Sequence, residues 1–286
     1  MNYRHAFHAG NFADVLKHAV LALVIEHLKL KPAPFRVIDT HAGAGLYDLT
    51  ASQATRTGEA LLGIRRLAGP DAPPLPAEIA PLLAPYLAAC AAFDANGTVT
   101  AYPGSPLIAL HAMRPQDRLI ANELHPEDAA LLKAAIGRDA RAKVLELDGW
   151  QALKATLPPK ERRGVVVIDP PFEVEGEFER LGDGLDEAMR RFATGIYLLW
   201  LPIKSPARVA AFKDRLRASP HAKLLYAELR VRAFEAEEKL SATALVLANP
   251  PFRLAEQLGV LLPFLSDRLA QGHGASHALE WLKGPD

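Results

Sequence analysis

The chain is 286 residues long, half of them apolar, with 33 basic and 33 acidic side chains and a formal net charge of zero. A chain of this size can bury a large core, and its neutral balance excludes RNA binding driven by the overall field, so any nucleic-acid contact must be local. A single cysteine excludes a disulfide scaffold. The longest apolar stretch is interrupted by Pro85 and the first residues do not resemble a signal peptide, so we expect a cytoplasmic protein without a membrane span.

Aromatic and basic residues alternate near the N terminus and lead into a predicted helix. Asn11 can cap this helix, which has an apolar face, and Tyr3 and Arg4 lie in the segment before it. Such a lead-in suits a splayed RNA base and its phosphates. We therefore predict contacts with substrate RNA at Tyr3 and Arg4, with Lys17 as a further candidate cation. A frayed chain end is the alternative.

Residues 35–39 form a short β-prone run that leads into a loop of small residues, 40–45. Gly43 and Gly45 in this loop let the backbone approach a ligand closely. A dinucleotide-binding fingerprint would place a third glycine at position 48, which is Asp48. The loop therefore disfavours NAD and favours a nucleoside cofactor without a pyrophosphate, such as S-adenosylmethionine. A plain glycine turn is the alternative.

The segment 46–102 is predicted to be an insertion. In doubly wound folds the ribose-binding acid follows the glycine loop by about 20 residues, whereas the candidate acid here, Glu123, lies much farther on. The excess combines two helix-compatible stretches, 58–68 and 78–93, with a proline-rich connector, 69–74. We predict one methyltransferase-like domain, 1–45 and 103–286, with 46–102 as a small helical subdomain. Ser105 before a proline predicts a helix start with serine as N-cap.

Acidic residues follow two further predicted strands. Glu123 can accept hydrogen bonds from both ribose hydroxyls, and Asp148 can reach an adenine amino group, with Gly149 leaving room. Taken singly, each acid is more often a solvated loop residue. Ligands gather at the carboxyl ends of parallel strands. The ordered series of Gly43, Glu123, Asp148 and Asp169 therefore favours one shared site.

The predicted strand 164–168 runs directly into Asp169, Pro170, Pro171 and Phe172. An exocyclic amine such as adenine N6 is a poor nucleophile because its lone pair is delocalised into the ring. The Asp169 carboxylate and the Pro170 carbonyl can accept its two N–H groups, and Phe172 can stack on the base. The tetrapeptide predicts methyl transfer onto a planar amino group, with Asp169, Pro170 and Phe172 as catalytic residues. A proline turn with its phenylalanine in the core is the alternative.

A second tetrapeptide, residues 249–252, has nearly the same composition: Asn249, Pro250, Pro251 and Phe252. In the expected topology the strand before Asp169 lies beside the glycine-loop strand, whereas the strand before Asn249 is inserted antiparallel. We therefore predict that the second tetrapeptide is a structural turn on the opposite edge of the sheet, far from the transferred methyl group.

Six stretches carry a resemblance to a known family: residues 3–5, 7–11, 13–18, 39–45, 102–106 and 191–197. They resemble the RlmJ family of bacterial 23S rRNA adenine-N6 methyltransferases, which are class I S-adenosylmethionine-dependent enzymes. The resemblance runs nearly end to end. Its N-terminal string is more specific than the Asp-Pro-Pro-aromatic motif, which glutamine and DNA methyltransferases share.

The resemblance implies an α/β fold: a doubly wound, seven-stranded class I methyltransferase (Rossmann-like) sheet with an N-terminal helical extension, 1–31, that helps to form the site. It implies S-adenosylmethionine as cofactor, N6 methylation of adenine 2030 of 23S rRNA, a catalytic Asp169 and an RNA contact at Tyr3. The family commonly has tyrosine where Phe172 stands, so a phenol hydroxyl is absent here. From residues and resemblance together, the predicted cofactor contacts are Lys17, His18, Asp39, His41, Gly43, Gly45, Ser105, Glu123, Asp148 and Gly149.

The predicted mechanism is direct in-line transfer to an adenine flipped out of its stack. We expect a monomer with no metal and no membrane partner, and we assign the histidines at 18 and 41 to cofactor contacts. Three rival functions remain: a DNA adenine-N6 methyltransferase, a protein-glutamine N5 methyltransferase and a non-catalytic RNA-binding module. The first two lack the N-terminal string, and the intact series of loop and acidic residues argues against the third.

Overall fold

A computed structural model describes residues 8–52, 57–94, 97–234 and 240–284. The helices in these ranges are α1 (Phe12–Lys29), α2 (Glu59–Leu62), α3 (Arg65–Ala68), α4 (Ala80–Ala92), α5 (Ser105–Ala112), α6 (Pro126–Ile136), α7 (Gly149–Thr156), α8 (Glu177–Arg191), α9 (Pro206–Ala218) and α10 (Leu254–Arg268). The strands are β1 (Arg36–Asp39), β2 (Leu46–Asp48), β3 (Ala101–Pro103), β4 (Arg118–Asn122), β5 (Ala142–Leu145), β6 (Gly164–Ile168), β7 (Ile196–Pro202), β8 (Leu224–Arg230), β9 (Ala242–Ala248) and β10 (Ser276–Lys283).

Eight strands form one sheet in the order β10-β8-β9-β7-β6-β1-β4-β5. β5, β4, β1, β6 and β7 are parallel, and β9 is antiparallel to β7 and β8. The central β6 is buried at every position because helices cover both faces of the sheet, which suits its run of three valines. The doubly wound α/β prediction is confirmed, including the position of β6 beside β1 and the reversed direction of β9.

The sheet has one strand more than the seven that were predicted. β10 pairs antiparallel with β8 at the edge of the sheet, and its register shifts between Trp281 and Lys283. Most of its residues are exposed or half-buried, so its sequence lacks the apolar alternation by which a strand is recognised. An edge strand held chiefly by backbone pairing leaves little pattern in the side chains.

The register brings the carboxyl ends of β1, β4, β5 and β6 to one side, which we call the carboxyl edge. Asp39, the last residue of β1, is level with Ala121 of β4 and Val167 of β6. Asn122, the last residue of β4, is level with Leu145 of β5. The loops that follow these four strands therefore converge, as expected for a ligand-binding edge in an open parallel sheet.

Helices cover both faces of the sheet. One hydrophobic cluster joins α1, α4, α5 and α10 to one face, and a second cluster joins α7, α8 and α9 to the other. The result is a three-layer arrangement in which the cores lie above and below the sheet. This leaves the carboxyl edge as the open side where loops can form a site.

Helix α1 is a core helix. Asn11 caps it as predicted, since its Oδ1 accepts hydrogen bonds from the backbone N–H groups of Ala13 and Asp14 at 2.9 and 3.0 Å. Lys17 is only 3% exposed, so its charge is not on the open surface, where a cation for RNA phosphates was expected from the sequence. Charged as well as apolar side chains of α1 are therefore buried. Among the described residues, no helix has the length and apolar character needed to cross a bilayer.

The segment 46–102 contributes the β2–β3 pair and helices α2, α3 and α4. The predicted helix around residues 58–68 is split in two at Gly63. A side chain there would overlap the Gly10 carbonyl, which accepts a hydrogen bond from Ile64 N at 2.9 Å. Buried residues of α4 pack in the same cluster as α1. The description of this segment as a separate subdomain stays a prediction.

Candidate active site

A cavity of about 930 Å³ opens at the carboxyl edge, between the loops after β1, β4, β5 and β6 and the first turns of α1. Most of the predicted site residues line it: Lys17, His18, His41, Gly43, Ser105, Glu123, Asp148, Gly149, Asp169, Pro170 and Phe172. Tyr3 and Arg4 lie outside the described residues. Within the ranges that the structure describes, no three His, Cys, Asp or Glu side chains are grouped as a metal site would require.

The glycine loop and Glu123 form one end of the cavity. Gly43 has a φ of +62°, and its N–H donates to Glu123 Oε2 at 2.9 Å. Glu123 Oε1 accepts from the N–H of His125 at 2.7 Å, and burial raises the pKa of Glu123 above its usual value. Each carboxylate oxygen has a second lone pair. Glu123 is therefore held rigidly by the backbone and can still accept hydrogen bonds from a ligand.

Two predicted cofactor contacts, Asp39 and Gly45, are not among the residues that line the cavity. Asp39 is 1% exposed; it accepts from the Ser105 hydroxyl at 2.6 Å and from His41 N at 3.3 Å, and burial raises its pKa to about 6. Gly45 has a φ of +81°, and its carbonyl accepts from Gly104 N at 2.7 Å. The Asp39 carboxylate and the Gly45 carbonyl are both bound by the loop at residues 104–105, so the two residues support the cavity wall from behind.

Ser105 does not have the capping role that was predicted for it. Helix α5 begins at Ser105, and Gly104 occupies the N-cap position. The Ser105 hydroxyl donates to Asp39 and makes no capping hydrogen bond. The serine hydroxyl donates its hydrogen to a buried carboxylate, and this charge-assisted hydrogen bond determines the orientation of the side chain.

His41 is held in one tautomer. The Thr40 hydroxyl donates its single hydrogen to the carbonyl of Val167 at 3.0 Å, so His41 Nδ1, 2.9 Å from the same hydroxyl oxygen, must be the donor in that contact. Nε2 is then an acceptor, and it lies against Gly149, where any side chain would overlap it. Burial lowers the pKa of His41 to about 4, so its ring is neutral at pH 7.

Asp148 caps α7 and faces the cavity. Its Oδ1 accepts from the N–H groups of Trp150 and Gln151, both at 3.1 Å, which leaves Oδ2 for a ligand. Asn122, which the sequence did not single out, fixes this loop: its Nδ2 donates to the carbonyls of Thr40 and Leu147, and its Oδ1 accepts from Leu147 N. One buried amide therefore ties together the loops after β1, β4 and β5. The only feature of the sequence that could have indicated this role is the position of Asn122 at the end of β4.

Lys17 links the loop after β6, residues 169–172, to α1. Its Nζ lies 2.5 Å from Asp169 Oδ2 and 3.0 Å from Asp14 Oδ1, and its side chain is 4% exposed. Burial lowers the pKa of Lys17, but the two carboxylates outweigh burial and raise it above its usual value. The lysine is therefore charged, and the three groups together keep one net negative charge beside the cavity. The sequence assigned Lys17 to the cofactor and gave no sign of this ion pair.

Phe172 forms part of an aromatic cluster beside Asp169. Its φ is +52°, which is unfavourable for a residue with a side chain. The ring meets Phe178 and Trp200 edge-on, with centroids 5.1 and 5.9 Å away, and Phe172 and Trp200 both line the cavity. Backbone strain at such a position is typical of functional loops. Packing against these two rings fixes the position of Phe172 in the cavity wall.

Two buried tyrosines of the segment 46–102 support His18. His18 Nδ1 lies 2.7 Å from the hydroxyl of Tyr102, which lies 3.0 Å from the hydroxyl of Tyr86. The rings of His18 and Tyr102 stack with centroids 5.6 Å apart. Tyr102 belongs to one of the resembling stretches, but the sequence assigned it no role. Part of the cavity wall is thus set by residues of the segment 46–102.

The second tetrapeptide lies on the opposite edge of the sheet, as predicted. Asn249 donates from Nδ2 to the carbonyls of Ala193 and Gly195, both at 2.8 Å. These residues precede β7, so the contacts lie at the amino end of that parallel strand. Both carbonyls belong to the segment before β7, so the side-chain amide of Asn249 holds the turn together, which fits the structural role predicted for it.

Comparisons with known proteins identify the family. The family model described as Ribosomal RNA large subunit methyltransferase D, RlmJ, matches residues 32–283. The chain is 44% identical to Ribosomal RNA large subunit methyltransferase J of Escherichia coli (strain K12) over 283 residues, 99% of both chains. Its identity to the protein of the same name from Haemophilus influenzae is 40%, also over 99% of both. A crystal structure of a Legionella pneumophila protein superposes with a TM-score of 0.86 at 32% identity, covering 96% of this chain and 98% of that one. Since these matches span nearly the whole sequence, the chain belongs to the RlmJ family of large-subunit ribosomal RNA methyltransferases.

Proposed function

We propose that this protein transfers a methyl group from S-adenosylmethionine to the exocyclic N6 of one adenine in 23S rRNA, adenine 2030. The observation that carries the proposal is the position of Asp169 in the wall of a cavity whose other walls hold Gly43, Glu123 and Asp148. The residues that would bind the methyl donor and the loop that would hold the methyl-accepting amino group therefore line the same cavity. Membership of a family of ribosomal RNA methyltransferases supports RNA as the substrate.

The cavity walls fit the chemistry of an adenosyl sulfonium. Glu123 offers carboxylate oxygens to ribose hydroxyls, and Asp148 Oδ2 offers an acceptor for an adenine amino group. Gly149 leaves the space in front of His41 open, because a side chain at this position would overlap the imidazole. His41 is neutral at pH 7, so it adds no positive charge near a cationic ligand. When bound, S-adenosylmethionine supplies an electrophilic methyl group.

Asp169 and Pro170 hold the acceptor nitrogen. Lys17 occupies one oxygen of Asp169, which leaves Oδ1 to accept one amino hydrogen of the base while the Pro170 carbonyl accepts the other. Positive charge builds on the nitrogen as it attacks. The net negative charge of the Asp14, Lys17 and Asp169 group stabilises that charge without reorganisation of solvent. The proton then leaves to water.

Lys17 orients the carboxylate in this scheme. A free Asp169 could rotate, whereas a short ion pair at 2.5 Å to a buried, charged lysine fixes its plane. Asp14 offsets the charge of Lys17, so the lysine does not repel the developing cation. Lys17 therefore acts on the reaction through Asp169, and the cofactor role predicted for it from the sequence is replaced by a positioning role.

The substrate adenine leaves its stack to reach the cavity, at a cost of a few kcal/mol. Phe172 offers an aromatic surface beside Asp169, and stacking on such a surface is worth roughly 1 to 3 kcal/mol per base. Tyr3 and Arg4 belong to the segment that leads into α1 and contact the RNA in this proposal. One chain contains every residue that the scheme uses, so the protein acts as a monomer.

The test is to incubate the purified protein with labelled S-adenosylmethionine and separate pools of 23S rRNA, DNA and protein. We expect label in 23S rRNA as N6-methyladenosine, at one position when the RNA is digested and analysed by mass spectrometry. Label in DNA or in glutamine side chains would assign the protein to one of the rival enzymes. Calorimetry that detects no S-adenosylmethionine binding would favour a non-catalytic RNA-binding protein.

A further inference from the structure

We infer that Glu59 of the insertion is a positioning residue for the methyl transfer: its carboxylate fixes the turn before α1 and, through it, Lys17 against Asp169. The inference deepens the proposed function and rests on it for the reaction that is measured. Glu59 lies on the short helix α2, far from Asp169 in sequence, and the sequence assigned it no role.

Both carboxylate oxygens of Glu59 bind the segment before α1. Oε1 lies 2.9 Å from His8 Nδ1, and Oε2 accepts from Asn11 Nδ2, also at 2.9 Å. The hydrogen bond to Glu59 raises the pKa of His8, which favours the charged imidazolium in this pair. A single side chain of the insertion therefore holds two residues of the segment that leads into the site.

The contact with Asn11 controls the start of α1. Asn11 Oδ1 accepts from the N–H groups of Ala13 and Asp14, so its amide can donate only from the opposite end. Glu59 is the acceptor at that end. If the side-chain amide of Asn11 rotated by half a turn, its Nδ2 hydrogens would face the backbone N–H groups of Ala13 and Asp14, and no hydrogen bond could form. Glu59 and the helix cap therefore fix one orientation of the same side chain.

The first turn of α1 then carries this order to the catalytic carboxylate. Asp14 Oδ2 accepts from Gly10 N at 2.9 Å, and Asp14 Oδ1 lies 3.0 Å from Lys17 Nζ. Lys17 in turn contacts Asp169 at 2.5 Å. A continuous series of polar contacts therefore runs from Glu59 to Asp169 by way of Asn11, Asp14 and Lys17.

The backbone presents Glu59 rigidly. The Gly10 carbonyl accepts from Ile64 N at 2.9 Å, and a side chain at Gly63 would overlap the backbone of Gly10 and Asn11. The turn before α1 and the link between α2 and α3 are thus in direct backbone contact. Glu59 is half-buried at this contact, so it is held there by the surrounding chain as well as by its two partners.

The role is positioning because the hydrogen bonds of the Glu59 carboxylate go to His8 and Asn11, the residues that lead into α1. A carboxylate in the cavity wall would also repel RNA phosphates, which disfavours direct contact with the substrate. Displacement of a catalytic group by about 1 Å can cost on the order of 100-fold in rate. Loss of Glu59 should therefore reduce turnover while leaving the walls of the cofactor site in place.

The test compares Glu59→Ala, Glu59→Gln and the control Glu78→Ala, which removes an exposed carboxylate of the same segment. We expect Glu59→Ala to lower kcat on rRNA by about tenfold or more, with the S-adenosylmethionine Kd within about twofold of wild type. Glu59→Gln should recover part of the turnover, because its amide oxygen can still accept from Asn11. Glu78→Ala should match wild type.

Unchanged kcat in Glu59→Ala would overturn the inference, as would an equal loss of turnover and cofactor affinity or a failure of Glu59→Gln to recover any turnover. Hydrogen exchange without any substrate gives a second measurement that does not depend on the proposed function. The amides of Ala13 and Asp14 should exchange faster in Glu59→Ala than in Glu78→Ala, and equal rates would overturn the inference. Should wild type fail to methylate rRNA, the proposed function fails, and the exchange rates alone decide the inference.

Discussion

Two loops of this protein have nearly the same sequence and lie at opposite edges of the sheet. Residues 169–172 follow a parallel strand and line the cavity at the carboxyl edge. Residues 249–252 follow the antiparallel β9 and lie at the other edge, where Asn249 is bound by the carbonyls of Ala193 and Gly195. The difference is one of strand direction, because reversing a strand moves the loop after it to the opposite side of the sheet.

The surroundings of the two loops differ as well. The first residue of the loop 169–172, Asp169, is bound by a buried lysine and lines the cavity, while Phe172 packs against Phe178 and Trp200. In the other loop Phe252 is 79% exposed, and its ring meets that of His27 in a T-shaped contact. The same residue types thus line a cavity at one edge and form a turn at the other. A motif of this kind identifies a function only together with its position in the sheet.

The largest difference between the two loops is expected when the first residue of each is replaced by alanine. Asp169→Ala should lower methyl transfer by at least about 1000-fold, because it removes the carboxylate that holds the acceptor nitrogen. S-adenosylmethionine affinity should change by less than about threefold, since the cofactor walls remain. Asn249→Ala should keep the kcat of wild type and lose about 1 to 2 kcal/mol of stability with its two hydrogen bonds. Loss of transfer in Asn249→Ala together with activity in Asp169→Ala would reverse the two roles.

Lys17 and Lys29 lie about 18 Å apart on α1 and allow the two edges of the sheet to be compared by their effect on stability. Lys17→Met leaves Asp14 and Asp169 without their cation, which should destabilise the protein by about 3 to 5 kcal/mol and suppress transfer. Lys29→Met breaks a partly exposed pair with Glu26 and should cost less than about 1 kcal/mol. Chemical denaturation measures both. A Lys17→Met protein as stable as Lys29→Met would show that the buried group does not depend on its lysine.

His41 and His27 give each edge a histidine whose pKa is lowered, first of all by burial. The pKa of folded His41 is about 4 against its usual 6.5, so the unfolded chain binds more protons between these values and stability falls as pH drops through this window. The loss approaches about 3 kcal/mol at most. His41→Gln should flatten this acid limb and weaken S-adenosylmethionine binding. His27→Gln should leave cofactor affinity unchanged, and an equal effect of both variants on affinity would contradict the position of His41 in the site.

The two phenylalanines give the smallest expected effects. Phe172→Ala removes an aromatic ring from the cavity wall. The free energy of RNA binding should weaken by about 1 to 3 kcal/mol, which would raise the KM for rRNA. Phe252→Ala removes an exposed ring and should change stability by less than about 0.5 kcal/mol and leave KM unchanged. Steady-state kinetics with both variants makes the comparison. Equal KM values would show that Phe172 does not contact the substrate base.

Much of the fold and part of the site followed from local patterns in the sequence. Strands such as residues 164–168 and the cap at Asn11 were predicted because burial on both faces and orphan N–H groups demand particular residue types. The edge strand β10 was missed because backbone pairing leaves little side-chain pattern. The ion pair of Lys17 with Asp169 was missed because it joins residues 152 positions apart. Contacts of that kind have no local signature.

The order of glycine loop, acidic residues and Asp-Pro-Pro-Phe along the chain was enough to predict the α/β fold and the kind of chemistry, because each strand end must carry the residue that its ligand requires. The tertiary structure alone decided that Lys17 pairs with Asp169, that Asp39 supports the site from behind, and that Glu59 holds the turn before α1. The physical reason is that orientation, burial and pairing depend on neighbours brought close only by folding. The sequence determined which groups are present, and packing determined what each of them touches.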